Sequence, residues 1–217
     1  MESGRVTSHE LHFHHPFNMI VGGASGSGKT EWTYRFLREC RLLIEPAPMH
    51  ILYCYGVFNA RVRELNAMGV ETHLGLPTER LIREKPKPLL LVLDDLMMEA
   101  KSDFLDLLFT RGSHHWGMSI VFITQNIFEK SMKTARNNAH YLTLLRNPSG
   151  QLQIRNLGTQ LFPRRLDYFM EAYQDATKDN FGYLLIDMHP SSAEILRLRT
   201  RVFTDEAQIL YAPKVKR

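Results

Sequence analysis

Eight consecutive residues, Gly23-Ala24-Ser25-Gly26-Ser27-Gly28-Lys29-Thr30, limit what this chain can fold into more than any other stretch. Glycine at this density destabilises the interior of a helix or a strand, so the segment reads as a loop whose backbone must take unusual conformations. It is entered by Phe17-Asn18-Met19-Ile20-Val21, a short buried strand, and left by Glu31–Arg38, whose Trp32, Phe36 and Leu37 fall near one helical face. The spacing is G-x-x-x-x-G-K-T between a strand and a helix. Successive N–H groups can then point inward at phosphate oxygens, the helix N-terminus adds partial positive charge, and Lys29 adds a full one. The Thr30 hydroxyl suits Mg²⁺. Gly23, Ser25, Gly26, Ser27, Gly28, Lys29 and Thr30 are therefore the expected ligands of a nucleoside triphosphate, taken as ATP, with Mg²⁺ beside it.

A hydrolytic loop of this kind needs a carboxylate delivered from a second strand. Pro88-Leu89-Leu90-Leu91-Val92-Leu93-Asp94-Asp95 supplies one, its apolar run reading as a strand covered on both faces of a parallel sheet. Its acids emerge at the C-terminal end, where such sheets place ligands. Asp94 suits the metal, and Asp95 the polarisation of an attacking water. A third apolar run, Met118–Thr124, ends in Gln125-Asn126. An amide there both donates and accepts, so it can orient water or sense a terminal phosphate. That role requires the Gln125 strand to lie between the other two. The expected class is α/β: a P-loop NTPase of the additional-strand, RecA-like type, mostly parallel, with helices on both faces.

The order of these three motifs, continued in "TRGSHHWGMSIVFITQN", "ARNNAHYLTLLRNP" and "YLLIDMHP", resembles the FtsK–HerA superfamily. Within it the chain is most similar to the genome-packaging ATPases of poxviruses, other large eukaryotic DNA viruses and Polinton-type elements. That resemblance implies a homo-oligomeric ring, hexameric or pentameric, which threads double-stranded DNA into a capsid at the expense of ATP. It implies a capsid vertex protein as a docking partner and a location inside the host cell, in cytoplasm or nucleus, or on the virion. Relatives commonly carry Glu where this chain has Asp95, one methylene shorter. They also carry an arginine near Arg111, which favours that residue over Arg136 as the positive charge a neighbouring subunit lends to the transition state.

Composition agrees with a soluble globular chain, at 44% hydrophobic and 23% charged residues. The two cysteines imply no disulfide framework, no apolar run is long enough for a membrane span, and the N-terminus lacks a secretory h-region. Residues 1–127 balance 13 basic against 14 acidic side chains, whereas residues 128–217 carry 14 against 9. The basic C-terminal third suits a polyanion. Lys130 and Lys133 are the preferred DNA contacts. Arg197, Arg199 and Arg201, alternating along an expected strand over 195–203, are either a second set or a charged sheet edge. Residues 1–15, with His12, His14 and His15, read as a solvated arm before one domain over 16–217. Two other functions fit a phosphate loop: a small-substrate kinase, which has no need of Gln125, and a nucleotide-dependent switch with slow, DNA-independent turnover.

Overall fold

The computed structural model describes residues 11–96 and 102–213. Nine strands form one twisted sheet in the order β11-β10-β9-β8-β2-β7-β6-β4-β5. These are β2 (Asn18–Gly22), β4 (His50–Tyr55), β5 (Glu71–Leu74), β6 (Leu89–Asp94), β7 (Met118–Thr124), β8 (Tyr141–Leu145), β9 (Tyr183–Asp187), β10 (Leu198–Thr200) and β11 (Ile209–Leu210). Strands β2, β4, β5, β6, β7 and β8 run parallel, and β9, β10 and β11 extend the sheet antiparallel from β8. A two-stranded pair, β1 (Phe13–His14) with β3 (Ile44–Glu45), lies apart.

Every residue of β2, β6, β7 and β8 is buried, as near-continuous apolar runs require. Alternate side chains then enter opposite layers. Met19, Val21, Leu90, Val92, Val121 and Ile123 pack against α1 (Lys29–Leu43) and α2 (Ala60–Ala67) on one face. Ile20, Leu91, Leu93 and Phe122 pack on the other, with α3 (Glu79–Glu84), α4 (Ser102–Leu107), α6 (Lys133–Asn137), α7 (Gln151–Leu161) and α8 (Leu166–Ala176). The helical segment that begins with α4 is not uniform. After α4 it widens to π geometry over Leu108–Gly112 before α5 (Ser113–His115).

Two expectations about the periphery change. The strand expected over 195–203 shortens to β10, because Glu194–Leu196 winds into a 3₁₀ turn and Arg201 takes φ 55°. Arg197, Arg199 and Arg201 therefore form no basic stripe. Arg199 is fully buried, donating to Asp187 Oδ2 at 3.3 Å and to the Leu11 carbonyl at 3.0 Å, with Phe13 beneath its guanidinium. Arg197 donates to the carbonyls of Asp187 and His189. Nor is β10 a sheet edge, since β11 covers it. A buried guanidinium must be paired, and the chain itself supplies partners for both Arg199 terminal nitrogens, leaving its Nε without one. The described part of the N-terminal segment is docked rather than solvated: Phe13 is buried among Phe17, Phe36 and Tyr141, and His15 bonds Ser119 at 2.6 Å.

Candidate nucleotide-binding site

The strand order separates β2 from β6 by β7, as the reading of Gln125 requires. All three strands point their C-terminal ends the same way, so the segments that follow them converge. A cavity of about 550 Å³ opens there. Ser25, Gly26, Gly28, Lys29, Thr30, Asp94, Asp95 and Gln125 line it together. Segments far apart in sequence thus meet at one site.

The loop's geometry explains its spelling. Gly26 and Gly28 adopt φ of 74° and 97°, which an L-residue with a Cβ takes only under strain. At Gly23 a Cβ would lie 2.6 Å from Ser27 Oγ and 2.8 Å from Leu145 Cβ, so the turn closes only without one. The Lys29 ammonium reaches back into the turn and donates to the carbonyls of Gly23 (2.8 Å) and Ala24 (2.9 Å). Burial lowers its pKa, while the charges of Asp94 and Asp95 oppose that shift. The α1 N-terminus adds its free N–H groups, with no side-chain cap competing for them. Chemically, such a loop can cradle a polyphosphate.

Asp94 ends β6 with 9% of its surface exposed, and the buried Tyr53 hydroxyl donates to its Oδ2. Burial pushes its pKa up, and Asp95 adds to that, while the Tyr53 bond and the Lys29 charge hold it down. Asp95 is exposed, in a left-handed conformation (φ 55°) that turns the chain sharply out of the strand. The residues that could hold a divalent ion are Thr30, through its hydroxyl, and Asp94, through its carboxylate, in one cavity. These are hard oxygen ligands of the kind Mg²⁺ takes while keeping several waters.

The two arginines behave differently. Arg111 is exposed in the π segment that leads into β7, so it sits at the end of the sheet where β7 begins. The cavity around it is formed with Glu79, Arg83, Leu107, His115 and Trp116. The seven residues of β7 put roughly 20 Å between that end and the chain's own phosphate loop. Arg111 cannot serve the site of its own chain. Arg136 is engaged locally, donating to the Ile127 carbonyl and lying over the Phe128 ring.

Four residues at the site escape a reading from sequence. Tyr53 is one. Asn59 and Arg61 follow β4 into the cavity wall, where Arg61 bridges Glu31 (2.6 Å) and Glu64 (2.5 Å) and covers the Tyr34 ring. The fourth is Phe181, in the turn before β9, whose ring presses on Gly28. Only Asn59, whose carbonyl oxygen caps α2 by accepting from the Val62 N–H, carries a local sequence signal.

No family model matches the chain, and no curated protein matches it in sequence. Solved structures do match in fold. The genome-packaging NTPase B204 from Sulfolobus turreted icosahedral virus 2, in complex with ATP-gammaS, is 12% identical, with 92% of this chain and 98% of that one covered and a TM-score of 0.54. The same NTPase with AMPPCP gives 9% identity, 93% and 99% coverage and a TM-score of 0.57. EssC (ATPases 2 and 3) from Geobacillus thermodenitrificans also aligns, at 14% identity over 90% of this chain and 39% of that one, with a TM-score of 0.49. With B204 the chain therefore shares the α/β P-loop NTPase fold, along nearly the whole length of both proteins.

Proposed function

We propose that this chain is a Mg²⁺-dependent ATPase that drives double-stranded DNA into a viral capsid as part of a homo-oligomeric ring. The observation that carries the reading is the convergence of Lys29, Thr30, Asp94, Asp95 and Gln125 at one cavity, with Gln125 just after a strand inserted between the other two. A small-substrate kinase has no need of that strand end.

In this mechanism the loop N–H groups and Lys29 bind the β- and γ-phosphates, while Thr30 and Asp94 would hold Mg²⁺, which when bound would supply positive charge to the phosphates. Asp95 accepts a proton from the attacking water. Gln125 orients that water and reports the presence of the γ-phosphate to the segment after β7, which carries the exposed Lys130 and Lys133 toward DNA. Arg111, stranded at the far end of its own sheet, completes the site of the next subunit. That arrangement supports a ring in which the site end of one subunit faces the Arg111 end of its neighbour. A capsid vertex protein anchors the ring, in the host cell or on the virion.

ATP turnover measured with and without duplex DNA tests the proposal. The expected result is Mg²⁺-dependent hydrolysis stimulated by DNA of any sequence and suppressed by moderate salt, since a translocase grips phosphates rather than bases. Slow turnover indifferent to DNA would instead identify a nucleotide switch, and phosphate transfer to a small acceptor would identify a kinase.

A further inference from the structure

Among the described residues, three non-glycine positions have a left-handed backbone: Asp95, Phe181 and Arg201, at φ of 55°, 63° and 55°. Strain of this kind persists where surrounding structure holds it, and it clusters at ligand sites. All three border two adjoining cavities. Asp95 lines the phosphate cavity, Arg201 lines a neighbouring cavity of about 510 Å³, and Phe181, together with Glu31, lines both.

Phe181 is the unusual member. A bulky aromatic residue is a poor occupant of left-handed space. It is also 60% exposed, although Gly182, Tyr183 and Leu184 lead directly into the core. Its ring is held against the phosphate loop, since a Cβ on Gly28 would lie 2.3 Å from Phe181 Cδ1. Apolar burial does not explain this placement, because most of the ring faces solvent.

The strand order gives its direction. Gln125 and Asp94 stand on the β7 and β6 side of the phosphate loop, and Phe181, at the head of β9, stands on the opposite side. Two strand spacings, about 10 Å, separate β9 from β2. A triphosphate with its γ end toward Asp94 and Gln125 therefore has its nucleoside end toward Phe181. Behind the ring the second cavity runs between the start of α1 (Glu31, Trp32, Arg35) and Arg201.

We infer that Phe181 is the platform on which the nucleobase of the bound triphosphate stacks, and that the cavity between α1 and Arg201 receives the base. This rests on the triphosphate reading of the loop. An aromatic face recognises any base, so the subsite discriminates nucleotides from bare polyphosphate more strongly than one base from another.

Calorimetric titration with Mg·ATP and with magnesium tripolyphosphate tests it, on wild type, Phe181→Ala and Phe181→Trp. Wild type is expected to prefer ATP over tripolyphosphate by at least tenfold. Phe181→Ala should lose about tenfold in ATP affinity while tripolyphosphate binding stays within about twofold. Phe181→Trp should keep ATP affinity and show indole quenching by ATP but not by tripolyphosphate. Equal losses for both ligands in Phe181→Ala would make Phe181 a prop for the loop and overturn the inference. So would equal affinity of wild type for both ligands, which needs no variant. If wild type binds neither ligand, the triphosphate reading itself fails.

Discussion

Removing one oxygen atom, in Tyr53→Phe, isolates the electrostatics of the carboxylate that ends β6. The Tyr53 hydroxyl donates to Asp94 Oδ2, and the two side chains are 1% and 9% exposed. Burial beside Asp94 drives the phenol far above the usual tyrosine range, so it stays a donor at any working pH. A hydrogen bond to a buried charge is worth about 1.5–3 kcal/mol, and phenylalanine fills almost the same space, so the cavity penalty is small. Asp94 already has a raised pKa from burial. Its contribution is therefore harmless below the unfolded carboxylate value and becomes a cost as pH rises and the buried group must ionise. Losing the Tyr53 bond raises that pKa further and enlarges the cost at high pH. Urea denaturation at pH 8 should show the variant about 1.5–3 kcal/mol less stable, or roughly 3–12 °C in Tm for a chain of this size. At acid pH, below the raised Asp94 pKa, the gap should shrink to that of a neutral hydrogen bond, about 1 kcal/mol. A gap equal at both pH values, or none at pH 8, would refute the claim that Tyr53 holds an ionised Asp94.

Lys29→Ala should abolish ATP binding in calorimetry, whereas Asp95→Asn should bind Mg·ATP within a few-fold of wild type and fail at turnover; equal loss of binding in both would merge their roles. Gln125→Ala should keep nucleotide affinity within a few-fold but lose turnover and its response to DNA, so a DNA response like that of wild type would remove Gln125 from the mechanism. Arg111→Ala and Lys29→Ala proteins, each inactive alone, should regain ATPase activity when mixed, because an intact loop then meets an intact Arg111 across a subunit boundary; proven co-assembly without recovery would end the trans assignment. Arg199→Ala should cost about 3–5 kcal/mol by leaving Asp187 buried without its ion partner, read as a lower urea midpoint at neutral pH. DNA affinity is not expected to change separately from that loss of stability.

The centre of the molecule was legible because its signals are local. The apolar runs of β6 and β7, the glycine spelling of the loop and the polar residues ending each strand all read directly, and the α/β class followed from them. The periphery was harder. Arg197, Arg199 and Arg201 alternate as a strand would, and periodicity alone cannot tell an exposed basic stripe from a guanidinium drawn inward by Asp187, a partner 12 residues away in sequence. Helices α2 and α3 carry the capping residues Asn59 and Thr78, but eight and six residues give little periodic signal. Tyr53 and Phe181 reach the site only through tertiary placement. A tyrosine inside a strand and a phenylalanine after Asp179-Asn180 look like ordinary core and turn residues until the sheet order is known.

The margins of the sheet bear on how copies of this chain can meet. Its long inner strands are flanked by β5, with four residues, and β11, with two. Glu71 on β5 is pinned by Lys85 and His50, placing charge along that margin. Short, charged margins offer few unpaired backbone groups to a neighbour, so they are poor templates for intermolecular strand pairing and for aggregation by that route. The ring proposed above would therefore be held through side chains on helices and loops. Contacts of that kind can slip and re-form without tearing backbone hydrogen bonds, which leaves each sheet intact while its neighbours shift around it.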